Sequence, residues 1–218
     1  MSEAVADITS ASIHSLPYPK INAPYKRDDG GKFIPGVFAT KEIEFLAPCQ
    51  WLWTEKVDGT NIRVTFHGGD IHYGGRTDRA AIPGPLLRSL QQIFEPLRDS
   101  MRVGPITFYG EGYGPKIQNG GKYRDTPGFV LFDVYSGGEW YSRDAMEGFA
   151  GELGLDVVPL LYRGPLSAAE DACAEGFNSQ WGDFEAEGMI GKPDCKLFDR
   201  TGKPVWTKVK CRDYRNWR

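Results

Sequence analysis

The sequence predicts an α+β domain with largely antiparallel sheets and a few flanking helices. Two observations carry that expectation. Short apolar or alternating runs bounded by Gly or Pro recur along the whole chain, and only three stretches show helical spacing. Strands and helices also lack the strict alternation that a parallel βαβ sheet requires. No internal repeat or linker divides the 218 residues, so a single domain over 1–218 is expected, with 196–218 as a basic C-terminal segment within it.

Residues 1–30 are rich in Pro, Asp and Lys and read as irregular apart from a short strand near Ile13. Three β-like pieces follow, Phe33-Ile34, Val37-Phe38 and Ile43-Glu44-Phe45, separated by Gly and Pro. Trp51, Leu52, Trp53 and Val57 mark a strand that breaks at Asp58-Gly59 into a second strand, Ile62 to Phe66, giving a hairpin around Lys56. Ile71-His72-Tyr73 reads as a further strand ending in a Gly-Gly turn before Arg76. Leu86, Leu87, Leu90, Ile93, Phe94 and Leu97 recur at helical spacing, with Pro85 suited to the first turn.

Strand-like runs return at Ile106 to Glu111 and Phe129 to Tyr135, and the Gly-rich loop between them holds Lys116, Lys122 and Arg124. Ser142 to Leu153 is predicted as a helix capped by Ser142, and Ser167 to Phe177 as another. Gly188 to Lys192 and Val205 to Lys210 close the chain as strands.

Composition narrows the function classes. With 40% hydrophobic and 25% charged residues the chain suits a soluble globular domain with a sizeable core. No apolar run approaches the roughly 20 residues of a membrane span. Residues 1–12 lack the basic and apolar blocks of a signal peptide. Cys49, Cys173, Cys195 and Cys211 lie far apart with no Cys-x-x-Cys spacing, which reads as reduced thiols in a cytoplasmic protein. The net charge of −3 is unevenly spread. From Lys196 to Arg218 eight basic residues face Asp199 and Asp213, a local +6 that leaves −9 for the rest of the chain. An acidic body with a basic end can hold a polyanion locally.

Several charged residues sit where packing alone does not place them. Lys56 occupies the bend before Asp58-Gly59. A solvated lysine has a pKa near about 10.4 and is a poor nucleophile until neighbouring cations or desolvation remove its proton. Glu111 closes an apolar run among Gly110, Gly112 and Gly114, where the backbone can approach a ligand closely. Glu187 opens Glu-Gly-Met-Ile-Gly-Lys, and Lys208 and Lys210 alternate around Val209, so both project from one face of a strand. Arg76 follows a Gly-Gly turn. Phosphoryl and nucleotidyl transfer need such a set: cations against phosphate charge, carboxylates for a divalent metal, and catalysis by positioning and electrostatics. His14, His67 and His72 have no metal-ligand spacing, and no Gly-x-x-x-x-Gly-Lys-Ser/Thr phosphate loop is present.

The order Lys56-Val57-Asp58-Gly59, Tyr109-Gly110-Glu111-Gly112, Phe129 to Val134, Glu187 to Lys192 and Lys208-Val209-Lys210 resembles motifs I, III, IIIa, IV and V of the covalent nucleotidyltransferases. That superfamily comprises DNA ligases, RNA ligases and mRNA capping enzymes. Within it the chain looks most like RNA ligases of the phage T4 RNA ligase 2 type. The matching features are Gly59-Thr60-Asn61, Gly75-Arg76-Thr77, and Gly110 to Gly114 followed by Lys116-Ile117-Gln118. DNA ligases usually place an arginine where this chain has Thr60 or Asn61. A minimal DNA ligase, a capping-type enzyme or a binding module with decayed catalysis are the alternatives.

The resemblance implies an adenylation-domain fold, here without a C-terminal OB domain. It also implies a three-step cycle: Lys56 takes AMP from ATP, AMP passes to a 5′-phosphate RNA end, and a 3′-hydroxyl displaces it. In that scheme Lys208 and Lys210 depress the Lys56 pKa and bind the α-phosphate, and Glu187, with Glu111, holds Mg²⁺ or Mn²⁺. Glu111 would otherwise contact the ribose. Phe132 stacks on adenine, Thr54 lies in the nucleotide pocket, Asn61 and Arg76 contact phosphate, and Asp58 orients the turn. Arg76, Lys116, Lys122, Arg124, Arg212 and Arg215 would meet the nucleic acid. The expected partner is RNA with 5′-phosphate and 3′-hydroxyl ends, nicked duplex or hybrid included, bound by a monomer with no membrane contact.

Overall fold

The computed structural model describes residues 16–101 and 104–215, so the strand expected near Ile13 lies outside the described residues. The first elements are β1 (Tyr25–Arg27), β2 (Phe33–Phe38), α1 (Lys41–Leu46) and β3 (Trp51–Glu55). β4 (Thr60–His67), β5 (Asp70–Gly75), α2 (Gly84–Phe94), β6 (Ile106–Tyr113) and β7 (Gly128–Ser136) follow. The chain continues through β8 (Glu139–Trp140), α3 (Arg143–Leu153), β9 (Leu160–Gly164) and α4 (Leu166–Glu175). β10 (Gly188–Pro193), β11 (Thr207–Lys210) and the single turn α5 (Cys211–Tyr214) complete it.

The strands pair antiparallel in three sheets: β1-β2, a four-stranded β11-β10-β3-β9, and a five-stranded β5-β4-β6-β7-β8. This is the α+β architecture expected from the sequence, with one topological difference. β3 and β4 do not form a hairpin. β3 pairs with β9 and β10, whereas β4 pairs with β5 and β6, so Asp58-Gly59 carries the chain from one sheet to the other and Lys56 stands at that crossing.

Three further differences have local causes. Ile43 to Phe45 is helical because Thr40 caps α1, its hydroxyl accepting from the Ile43 amide at 3.2 Å, and Glu42 and Glu44 complement the helix N-terminus. β2 runs unbroken through Pro35 and Gly36 at an edge, where Pro costs no ladder hydrogen bond. The short strands β1, β8 and β9 carry too little alternation to stand out in the sequence. The Ser142 cap is in place, accepting from the Ala145 amide at 3.3 Å.

Each of the two larger sheets buries one face under helices. Ile62, Val64 and Phe66 of β4 pack with Phe108, Leu131, and the α2 residues Leu86, Leu90 and Phe94. Trp51 and Trp53 of β3 pack with Met189, Val209, and Leu166 and Cys173 of α4. The alternation of a strand then turns Asn61 and Glu111 on one sheet, and Lys208 and Lys210 on the other, toward the space between the sheets. A bulge in β7 adds to this: Tyr109 pairs with Asp133 but Gly110 with Leu131, so Phe132 is the extra residue and both Phe132 and Asp133 face inward. All four cysteines are free thiols, and Cys173 Sγ lies 3.4 Å from Cys211 Sγ in the interior. Among the described residues, no helix is long and apolar enough to cross a membrane.

Candidate active site

Between the two larger sheets lies a cleft of about 250 Å³. Thr54, Lys56, Asn61, Arg76, Glu111, Phe132 and Lys208 line it, together with Tyr18, Lys20, Glu55, Ile190 and Lys192. Glu187 and Lys210 adjoin it through ion pairs. Lys56 Nζ donates to Glu187 Oε2 at 2.5 Å, and Lys210 Nζ stands 2.6 Å from Glu187 Oε1. One carboxylate thus bridges two ammonium groups from segments far apart in sequence, and all three side chains are about four-fifths shielded from solvent.

The close approach at the crossing depends on Gly59. A Cβ there would lie 2.3 Å from the Gly112 carbonyl oxygen and 2.9 Å from Glu111 Cγ. Asp58 does not enter the cleft. Its carboxylate accepts from Asn119 at 2.5 Å, and its amide donates to the Tyr123 hydroxyl at 3.1 Å, which ties the Lys56 turn to the Gly-rich loop after β6.

The electrostatics follow from burial and from that bridge. Burial would raise the Glu187 carboxyl, but the Lys56 and Lys210 charges prevail and hold it below the usual carboxylate value. Burial, and then repulsion from Lys210 and Lys56, pushes Lys208 down from the ordinary lysine value. Glu187 is shared between the Lys56 and Lys210 ammonium groups, one carboxylate oxygen meeting each. Glu111 is pushed up to about 8 by burial, with Glu187 and Asp58 adding to the effect, while Lys56 and the Gly59 amide oppose it.

The floor of the cleft is a fixed aromatic. Phe132 packs against Tyr18 at 4.8 Å between ring centroids, and Lys192 donates to its carbonyl at 3.0 Å. Lys192 and Tyr18 both donate to Asp133, each at 2.5 Å. The Asn61 side-chain carbonyl oxygen is buried with no hydrogen-bond partner among the described residues, an unusual state for a buried acceptor and one that a ligand donor would relieve. Thr54 Oγ1 reaches the Ile190 carbonyl at 3.5 Å.

Glu55, absent from the sequence-based set, also lines the cleft. Burial raises its carboxyl pKa, and the Ser179 hydroxyl and Gln180 amide donate to it at 2.6 and 2.8 Å. Tyr18, Lys20 and Lys192 were likewise not singled out. Lys192 stands at the end of the Glu187 to Lys192 run, and its position, alternating with Ile190, could have indicated the same face. Tyr18 and Lys20 belong to a segment with no periodic signal.

The residues expected to meet nucleic acid divide. Arg76 is exposed at the cleft and has no ion pair among the described residues. Lys116, Lys122 and Arg124 are exposed on the loop anchored to Asp58, where Lys116 and Gln118 adopt positive φ of 64° and 48°. Arg212 is 75% exposed, but Arg215 is engaged by Glu185.

A second cleft of about 230 Å³ shares Thr54, Phe132 and Lys192 as a common wall. Its cations are neutralised: Lys192 by Asp133 at 2.5 Å, Arg143 by Glu147 at 2.6 Å, Arg163 by Asp194 at 2.7 Å and Lys196 by Glu139 at 3.2 Å. The first cleft keeps Arg76, Lys208 and Lys20 without such partners among the described residues, so a polyanion is attracted there. No group of three or more His, Cys, Asp and Glu gathers to hold a metal among the described residues.

A family model for RNA ligase matches residues 50–210. No curated protein matches the chain. Among solved structures the chain is similar to the RNA ligase of Naegleria gruberi. A point variant of that ligase with ATP and Mn aligns with a TM-score of 0.64 at 18% identity, covering 90% of this chain and 62% of the other. The form with pyrophosphate gives the same values, and a variant with AMP and Mn gives 0.63 at 19% over 92% and 63%. At such identity the likeness concerns the fold, and this chain spans somewhat over three-fifths of the length of those ligases.

Proposed function

From the premise that the chain belongs to the RNA ligase family, we propose that it is an ATP-dependent RNA ligase in which Lys56 becomes transiently bonded to AMP. The observation that carries this reading is the convergence of Lys56 and Lys210 on Glu187, with Lys208 on the wall of the adjoining cleft floored by Phe132. Adenine stacks on Phe132, since a base presents a flat face to an aromatic ring. Asn61, Arg76 and Lys208 take the phosphate oxygens, Arg76 with the fork geometry suited to them.

Lys56 Nζ attacks the α-phosphorus, forming a P–N bond as the P–O bond to pyrophosphate breaks. The amine attacks in its unprotonated form, its proton passing to solvent, from a position fixed by Glu187. The AMP then passes from Lys56 to a 5′-phosphate oxygen of RNA, and a 3′-hydroxyl attacks that activated phosphate with AMP leaving. Asp58 acts by tying the Lys56 turn to the loop that bears Lys116, Lys122 and Arg124, which with Arg212 lies open to the RNA backbone.

The donor set suits a hard divalent cation. Glu187 and Glu111 offer oxygen, and Mg²⁺ is ordinarily held by one or two carboxylates with phosphate oxygens and water rather than by a full protein cage. Such a cation, Mg²⁺ or Mn²⁺, would offset charge that builds on the α-phosphate and pyrophosphate. Both oxygens of Glu187 are taken by ammonium groups, so Glu187 would hold the metal only by giving up one of those partners. The chain acts as one nucleotidyltransferase unit over 1–218, and its cysteine spacing supports a reducing, cytoplasmic setting. Labelled 5′-phosphate RNA and DNA, nicked and single-stranded, offered side by side with ATP and Mg²⁺ test the reading. Sealing of an RNA substrate is expected, and sealing of DNA alone would move the enzyme to the DNA ligases.

A further inference from the structure

The segment before β1 forms part of the cleft. Tyr18, Pro19, Lys20 and Ile21 all line it. The segment is fixed at both ends to the elements that carry the site. On one side the Leu16 carbonyl accepts from Tyr109 at 2.5 Å, and Tyr18 donates to Asp133 at 2.5 Å with its ring against Phe132. On the other side the Asn22 carbonyl accepts from the Lys208 amide and from the Thr207 hydroxyl, both at 3.1 Å. Residues 16–22 thus span from the aromatic floor to β11, and Lys20 sits two residues from the point where the segment joins Lys208.

Lys20 is exposed and has no ion pair among the described residues. It nevertheless lies close enough to Lys208 for its charge to help lower the Lys208 pKa, after burial, Lys210 and Lys56. Lys20 and Lys208 line the same cleft and neither has an ion pair among the described residues, so an anion entering there meets both charges. Lys56 and Lys210 already share Glu187, and Lys192 has Asp133, so those three are partly neutralised. A triphosphate carries more charge than the α-phosphate contacts alone offset. The positive edge formed by Lys20 next to Lys208 is suited to the remainder.

We propose that Lys20 binds the β- and γ-phosphates of the incoming nucleotide, so that the segment 16–22 is a third wall of the site and a determinant of triphosphate over monophosphate binding. The inference rests on the reading of this cleft as the nucleotide site. Its test measures binding apart from catalysis. The wild-type protein, Lys20→Ala and Lys20→Arg are titrated with α,β-methylene-ATP, inorganic pyrophosphate and AMP by calorimetry.

Loss of a charge-assisted contact should weaken the triphosphate analogue and pyrophosphate roughly 10- to 100-fold in Lys20→Ala. AMP affinity should stay within about twofold, and Lys20→Arg should restore most of the loss. Equal triphosphate affinity in Lys20→Ala and wild type overturns the proposal. So does an equal loss for AMP and triphosphate, which would mean that the segment only shapes the wall. A defect confined to sealing of pre-adenylated RNA would assign Lys20 to the RNA and overturn it too. If the triphosphate preference is lost in Lys20→Ala but wild type forms no AMP adduct, the ligase reading falls and the Lys20 contact stands. If wild type and Lys20→Ala form the adduct at equal rates and affinities, the contact falls and the ligase reading stands.

Discussion

Lys56 donates to Glu187 at 2.5 Å across 131 positions of sequence, and the second oxygen of the same carboxylate meets Lys210 at 2.6 Å. Two lysines far apart in sequence are thereby held on one carboxylate beside a cleft. A carboxylate so placed sets the position of both ammonium groups and limits their repulsion.

Glu187→Gln tests that role. The amide keeps the shape but cannot neutralise two cations or serve as an anionic metal ligand. AMP transfer to the protein should slow by about 100-fold or more, in the range seen when a preorganised electrostatic group is removed. Quenched-flow labelling with radioactive ATP, beside a thermal melt showing a folded variant, measures it. A rate within threefold of wild type contradicts the role.

Much of this arrangement was legible in the sequence, for identifiable reasons. Lys56, Asp58-Gly59, Glu111, Glu187, Lys208 and Lys210 stand out because charged residues interrupt apolar strands at positions that packing does not require. Their alternation put Lys208 and Lys210 on one face. The sheet crossing at Asp58-Gly59 was not legible, because a break between two strands reads the same whether the second returns to its neighbour or leaves for another sheet. Ile43 to Phe45 shows how a cap at Thr40 outweighs a short β-like triplet. Tyr18 and Lys20 lie in a non-periodic segment whose placement depends on hydrogen bonds to Asp133 and β11, and nothing local encodes those. The β7 bulge that turns both Phe132 and Asp133 inward depends on pairing with β6.

Gly59 lies where the Lys56 turn meets β6, with no room for a methyl group. A Cβ would stand 2.3 Å from the Gly112 carbonyl oxygen, a backbone atom that can move only with its strand. Gly59→Ala should destabilise the protein by roughly 1–3 kcal/mol, the usual cost of overpacking. Urea unfolding measures it, and a midpoint equal to that of wild type would show the turn to be looser than described.

Glu111 should leave a signature in the pH dependence of stability. Its carboxyl is raised from 4.5 to about 8, so between those values the unfolded chain releases a proton that the folded protein retains. Stability from this group therefore falls as pH rises from about 4.5 to about 8. Glu111→Gln removes that term. In metal-free buffer the variant should gain stability relative to wild type as pH rises through the window, with most of the difference present by pH 8. A constant difference between the two melts across that range would contradict the raised pKa.

Phe132 distinguishes base recognition from phosphate recognition. If adenine stacks on its ring, Phe132→Ala should weaken AMP and triphosphate analogues alike, by roughly 5- to 150-fold from a stacking contribution of about 1–3 kcal/mol. Lys20→Ala should affect the triphosphate alone. Titrating both variants with both ligands separates the two contacts, and an AMP affinity unchanged in Phe132→Ala would remove the ring from the base site.

The central claim is that Lys56 forms a covalent bond to AMP. Intact-protein mass spectrometry after incubation with ATP and Mg²⁺ tests it most directly. The account predicts a mass gain of one AMP in wild type, reversed by pyrophosphate, and none in a folded Lys56→Ala variant. A folded wild-type protein that shows no gain, or a Lys56→Ala variant that still carries AMP, would contradict it.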